Sequence, residues 1–261
     1  MRRRYRIALS VAGGVALAGI AAYRSARRAL SPRHPRLALR AGLSLLTHPP
    51  RRAIAVTAHP DDLELFLGGT LALLPTLGTE LTIVDLTDGE KGTRRPHLAP
   101  IRRREQEQAA AILGCSRLEF LHLPDLGLRG NPDVETALRS VWDDCRPEAA
   151  FAFDPTHYLR MMRHPDHIAG GRAVRRLASR DAPAVPVYYY ATRLPNVVVD
   201  VSPVLGRKTA ALLCHRSQLR FGRRPYPALV RILGRMQGRA CNLACAEGLR
   251  REPSNDRVTY R

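Results

Sequence analysis

From Ala53 to Ala58 the chain reads Ala-Ile-Ala-Val-Thr-Ala, a short apolar run without polar alternation. Such a run predicts a strand buried on both faces. Gly68-Gly69 then opens an apolar helical segment over 70–77, and Glu80 to Leu86 reads as a second strand. Ile101 to Leu113, rich in Arg, Glu, Gln and Ala and closed by Gly114, predicts a helix with a glycine stop. Further along, Leu118–Leu123 and Ala149–Phe153 read as strands, and Val134–Cys145 and His167–Ser179 as helices. Val185–Ala191 and Val197–Val201 complete the strands, and Pro203–Leu219 is a last helix. Strands alternating with helices predict an α/β fold, a mostly parallel sheet with helices on both faces in a single catalytic domain. In such sheets ligands bind beyond the carboxyl ends of the strands.

Charge changes the picture at the N-terminus. The net charge is +19, yet residues 1–52 hold twelve arginines and no Asp or Glu, so subtracting those twelve leaves +7 for residues 53–261. The excess belongs to a basic leader, and with no interleaving of aromatic and basic residues a nucleic-acid partner is not expected. Within the leader, Ile7 to Tyr23 carries no charge. Its length corresponds to roughly 25 Å of helix, slightly short of the ~30 Å hydrocarbon layer. Three readings stay open: an uncleaved membrane anchor over 7–23, which is favoured; a cleaved signal read at Ala16-Leu17-Ala18; and an interfacial or disordered leader. Arginine flanks on both sides, denser after the run, favour a body on the cytoplasmic face. A Pro/Arg-rich tether with a short amphipathic turn between Leu37 and Leu46 would lead to a domain over 53–220, with 221–261 a basic extension of it. The five cysteines, odd in number and scattered, do not form a disulfide framework. Cys241 and Cys245 lack a second Cys/His pair and read as idle or buried thiols.

Candidate chemistry lies in two clusters, Thr57-Ala58-His59-Pro60-Asp61-Asp62 after the first strand and His164-Pro165-Asp166-His167 after the fourth. Alone, each reads as a turn with an Asp helix cap. Both placed at the ends of strands in one sheet, they read as the two halves of a metal site. A catalytic zinc takes three protein ligands and keeps an open position. The economical set is His59, Asp62 and His167. Asp61, projecting differently from its neighbour, is left to act as general base on the attacking water. His164, three residues before His167, can stabilise an oxyanion or protonate a leaving amine, with Asp166 orienting its imidazole and raising its pKa. A His/Asp/His set accepts Zn2+ and also Fe2+ or other divalent ions.

These residues, Ala58-His59-Pro60-Asp61-Asp62-Leu63-Glu64 with Gly68-Gly69-Thr70 and His164-Pro165-Asp166-His167, resemble the zinc-dependent N-acetylglucosamine deacetylase family, which includes the deacetylases of mycothiol, bacillithiol and glycosylphosphatidylinositol biosynthesis. Supporting matches are Asp85 to Thr93, Arg102 with Glu105, and Lys208 with His215-Arg216-Ser217-Gln218. The resemblance implies a Rossmann-like fold and hydrolysis of the acetamide of a GlcNAc-containing small molecule or glycolipid to acetate and a free amine. It places the metal ligands on His59, Asp62 and His167, the base on Asp61 and the charge-stabilising histidine on His164. Substrate contacts fall on Arg102, Asp125 and Tyr158. The tract Gly89 to Thr93 and Tyr188-Tyr189-Tyr190 is most similar to the bacillithiol-type branch, whose substrate is N-acetylglucosaminyl malate, whereas the arginine-flanked leader resembles the membrane-bound glycolipid branch. A homo-oligomer is compatible with all of this. The competing reading is a non-catalytic protein on the same fold whose basic segments hold anionic lipid or nucleic acid; the intact set of five site residues weighs against it.

Overall fold

The computed structural model describes residues 25–93, 97–180 and 185–252. Seven strands form one sheet: β1 (Arg52–Thr57), β2 (Glu80–Thr87), β3 (Arg117–Leu123), β4 (Ala149–Phe153), β5 (Val187–Tyr190), β6 (Val197–Asp200) and β7 (Ala246–Arg251). Their order is β3-β2-β1-β4-β5-β7-β6. The first five run parallel, and β7 lies antiparallel to both β5 and β6. β1 is central and buried from Ala53 to Thr57, as its unbroken apolar run requires.

The helices are α1 (Pro35–Thr47), α2 (Asp62–Phe66), α3 (Gly68–Leu73), α4 (Leu98–Leu113), α5 (Asp133–Cys145), α6 (Pro165–Arg180), α7 (Leu205–Leu212) and α8 (Tyr226–Gly238). On one face of the sheet Leu63, Leu67 and Leu71 of the α2–α3 pair join Ala109 and Leu113 of α4 and Ala211 of α7 against Ala53, Ala55 and Ile83. On the other, Leu138 and Trp142 of α5 and Val174 and Leu177 of α6 cover Ile54, Val56 and Val84. Alternate residues of β1 and β2 thus feed opposite cores, which is the Rossmann-like arrangement with helices on both faces.

Three elements differ from the periodicity reading. Residues 35–47 are a 13-residue helix, and Gly42 lets it lie on β6: a Cβ there would stand 1.8 Å from the Val198 carbonyl oxygen. The helix expected over 203–219 stops at Leu212, and the turns that follow carry His215 inward to full burial. The C-terminal basic stretch contains α8 and the strand β7, inserted between β5 and β6. The anchor reading of 7–23 falls outside the described residues; among those described, no helix is long and apolar enough to cross a membrane.

Strand order reverses between β1 and β4, so the crevice beyond their carboxyl ends is the topological switch point. Both histidine clusters leave the sheet there.

Candidate active site

His59 follows β1, Asp62 is the first residue of α2, and His167 sits in the first turn of α6. The Nδ1 of His59 and the Nε2 of His167 lie 3.2 Å apart. Asp62 Oδ2 is 3.0 Å from that Nε2 and 3.5 Å from that Nδ1. The remaining ring nitrogens settle the tautomers. His167 Nδ1 donates to the Met162 carbonyl at 3.2 Å, and His59 Nε2 donates to Asp125 Oδ1 at 3.1 Å. In neutral rings both inner nitrogens therefore present lone pairs. Two lone pairs and a carboxylate oxygen converge on one point, an arrangement that a cation satisfies and that otherwise draws protons. Bonds of 2.0–2.2 Å in a tetrahedral site separate donors by about 3.3 Å, so the set fits a zinc-sized divalent ion. Burial opposes protonation of both histidines, yet their carboxylate neighbours prevail: Asp125, Asp166 and Asp62 raise His59 well above its ordinary pKa, and Asp62 raises His167. Asp62, despite burial, is held far below the usual carboxylate range by His167 and His59.

His59, His164 and His167 also offer ligand atoms within 4.8 Å of one another, as do His59, Asp125 and Asp166. The Asp62 set has the shorter edges, and the two outer acids accept from or face the far nitrogen of His59. That outer shell is what orients a metal-binding imidazole. Asp125 is itself fixed, its Oδ2 accepting the Lys91 amide at 2.9 Å. Burial would raise its pKa, but His59 and the Lys91 amide bring it down to about 2.

Asp61 adopts φ 104°, a left-handed conformation rare for a residue with a side chain, and one that turns its carboxylate away from that of Asp62. Arg102 Nη2 donates to Asp61 Oδ1 at 3.2 Å and also to the Pro60 carbonyl, while Nη1 donates to the Gly89 carbonyl at 3.0 Å. Gly89, at φ 63°, must be glycine for this: a Cβ would stand 2.5 Å from the guanidinium carbon. Burial pushes the Asp61 carboxyl up to about 6 against the pull of Arg102.

His164 stands edge-on to His59 with ring centroids 4.9 Å apart. Its Nδ1 accepts the Asp166 backbone amide at 3.3 Å, leaving Nε2–H as a donor into the crevice. Burial, reinforced by the positive charges of His59 and His167, lowers its pKa. The Asp166 charge raises the His164 pKa in part, but its side chain makes no hydrogen bond to that ring among the described residues. Its carboxylate accepts the amides of Leu126 at 2.6 Å and Leu128 at 3.1 Å and faces His59 Nε2 at 3.6 Å, so it steadies the loop that presents Asp125. Nor do Arg102 and Asp125 stand open to a sugar. Both are 3% exposed; the Arg102 Nη groups bond Asp61, Pro60 and Gly89, and Asp125 accepts from His59 and the Lys91 amide. Tyr158 stacks on Phe153, whose ring meets that of His167 at 4.7 Å.

A model of the family described as PIG-L, GlcNAc-PI de-N-acetylase, matches residues 54–178, which contain both clusters. The diacetylchitobiose deacetylase of Thermococcus kodakarensis is 31% identical over 64% of this chain and 70% of its own length. A probable N-acetyl-α-D-glucosaminyl L-malate deacetylase 2 of Bacillus cereus is 30% identical over 64% of this chain and 84% of its own. The chain belongs to the GlcNAc-PI de-N-acetylase family. The inhibitor-bound N,N'-diacetylchitobiose deacetylase from Pyrococcus horikoshii superposes on this de-N-acetylase family member with TM-score 0.73 at 27% identity, covering 81% of this chain and 87% of the other. Membership makes it an amide hydrolase of the N-deacetylase class.

Beneath the active site of this N-deacetylase lies a polar layer that motif reading missed. Glu64 and His215, both fully buried, pair at 3.3 Å, and Gln106 donates to Glu64 at 3.1 Å. Asp85 beside them has neither oxygen hydrogen-bonded, and burial, with Glu64 adding to it, raises its pKa well above normal. In the sequence, Glu64 and His215 are family matches without a role. Asp85 likewise is only the first residue of a family match, with no role.

Proposed function

We propose that this protein is a divalent-metal-dependent deacetylase, using zinc or iron, that removes the N-acetyl group from a GlcNAc-containing conjugate and releases acetate and a free amine. The observation that carries this reading is the convergence of two imidazole lone pairs and a carboxylate oxygen within 3.0–3.5 Å beside an unligated, braced carboxylate. His59, Asp62 and His167 would hold the cation, which when bound polarises a carbonyl and lowers the pKa of water.

The chain's own groups supply the proton chemistry. Asp61 takes a proton from the attacking water as the oxygen–carbon bond forms. The Nε2–H of His164 donates a hydrogen bond to the carbonyl oxygen as it becomes negative. Asp61 then returns the proton to the sugar nitrogen as the carbon–nitrogen bond breaks, and acetate leaves. Arg102 and Asp125 serve by positioning Asp61 and His59. Tyr158, whose hydroxyl makes no hydrogen bond to the described residues, is assigned to the substrate. The names of the two relatives, one for diacetylchitobiose and one for N-acetylglucosaminyl malate, support an N-acetylated amino sugar as the common element. The apolar run 7–23 is proposed as an anchor that holds the body at the cytoplasmic face of a membrane; release of the protein by alkaline carbonate would overturn that.

The test is acetate release by chelator-treated protein before and after zinc or iron is restored. Substrates are diacetylchitobiose, N-acetylglucosaminyl malate and lipid-linked GlcNAc. Restored turnover on at least one supports the reading; equal turnover by metal-free and metal-loaded protein sinks it.

A further inference from the structure

Residues 201–246 contain nine arginines and lysines and no Asp or Glu. Seven of them, Arg216, Arg220, Arg223, Arg224, Arg231, Arg235 and Arg239, are exposed, and none pairs with an acid among the described residues. Arg231, Arg235 and Arg239 succeed one another at spacings of four, the spacing at which like charges on a helix repel. Among the described residues no acid pairs with them, so this face is left to meet negative charge from outside. The same stretch exposes large apolar side chains: Phe221 is 82% exposed, Ile232 50% and Leu229 39%. Leu229 and Ile232, three apart on α8, point away from buried Val230 and Gly234 and flank Met236, which packs with Leu30 and Leu159. A helix with arginines and bulky apolar groups together on its solvent side has the composition of an interfacial element.

Position adds two arguments. Met236 and Leu233 of α8 pack with Leu30, Leu159 and Met162, and the Met162 carbonyl holds His167. The helical residues 25–30, through which the apolar, arginine-flanked run 7–23 enters the described structure, therefore dock on α8. Just past the end of the same helix, a cavity of about 630 Å³ is lined by Arg33, His34, Arg36, Leu37, Leu39 and Asn242, with no acid in its wall.

We propose that α8 with the preceding loop 220–225 is a docking surface for bilayers rich in anionic phospholipid. The arginines meet the phosphates, and Phe221, Leu229 and Ile232 enter between the headgroups. Nucleic acid would satisfy the arginines equally, but would leave the three apolar side chains no better buried; a lipid surface satisfies both. The surface is separate from the proposed anchor and stands whether or not the deacetylase reading holds.

Full-length protein carrying Phe221→Trp tests this, because the one native tryptophan, Trp142, is 1% exposed and contributes a constant signal. With vesicles of equal phosphatidylcholine and phosphatidylglycerol, the emission is expected to shift to the blue, to be quenched by brominated acyl chains, and to revert as salt is added. Phosphatidylcholine alone should leave it unchanged. Adding Arg231→Glu and Arg235→Glu should weaken the effect at least roughly 25-fold, at about five-fold per arginine, with hydrolysis of a soluble substrate unchanged as the check on folding. An unshifted emission from the Phe221→Trp protein when it nonetheless sediments with vesicles would overturn the proposal, since the face would then point away from the bilayer. So would a shift that follows protein concentration without lipid, or one produced only by a single-stranded oligonucleotide.

Discussion

The Nη2 of Arg102 donates both to Asp61 Oδ1, at 3.2 Å, and to the carbonyl of Pro60, so one guanidinium holds the Asp61 carboxylate and the peptide that precedes it. This explains how Asp61 keeps φ 104° and an exposed carboxylate edge while its neighbour Asp62 faces the metal position. The Arg102 charge also opposes the burial that raises Asp61. Arg102→Gln should therefore lower kcat by roughly 100-fold through loss of a placed base. It should also move the acidic limb of the kcat/KM profile from about pH 6 to higher pH. A pH–rate profile of the variant checks both; an unmoved limb would separate Arg102 from the base.

Asp125 fixes the tautomer of His59 by accepting a hydrogen bond from its Nε2–H. Asp125→Ala frees that ring and should weaken metal affinity about 10–100-fold, with little change in far-UV circular dichroism. A competition titration with a chromogenic zinc chelator measures it.

Metal and protons compete for the same lone pairs. Because His59 and His167 are raised when no cation is present, affinity should fall as pH drops below neutrality. At pH 8, zinc at 100 times its Kd should stabilise the fold by about 2.7 kcal/mol. That corresponds to roughly 5–10 °C in Tm, and the gain should shrink at pH 5.5. Equal shifts at the two pH values would argue against the histidine ligands.

His164 has a lowered pKa and a donor hydrogen on Nε2, so it works as a neutral hydrogen-bond donor. His164→Gln retains a donor and should keep more activity than His164→Ala, whose kcat should fall roughly 100–1,000-fold. Equal losses would show instead that the imidazole itself transfers a proton.

Asp85 is fully buried with both oxygens unpartnered and its folded pKa is raised well above 3.8. The folded state therefore holds a proton that the unfolded state releases as pH rises past about 4. The stability this confers is complete below the unfolded pKa and is lost as pH climbs through the folded value. Asp85→Asn removes the titration, so its Tm should decline less than that of the wild type between pH 5 and pH 8.

Strand β1 and the two histidine clusters were legible in the chain because each is local: a short apolar run, then a turn whose ligands lie within four residues. β7 was not. Its Ala-Glu-Gly-Leu-Arg-Arg has neither apolar continuity nor alternation, and it is buried because distant residues satisfy its charges. Glu247 accepts the Gly69 and Thr70 amides and the Lys208 ammonium, and Arg250 donates twice to Asp154. No window of sequence contains such pairs.

By itself, then, the sequence determined the parallel β/α core and placed His59, Asp61, Asp62, His164 and His167 at the ends of two of its strands, since these depend on residue type and short spacing along the backbone. Tertiary structure alone decided that Arg102 braces Asp61, that Asp125 and Asp166 attend His59, and that α8 packs on Leu159 and Met162. Those assignments depend on where a side chain's far end comes to rest, and that is set by packing among segments far apart in the chain.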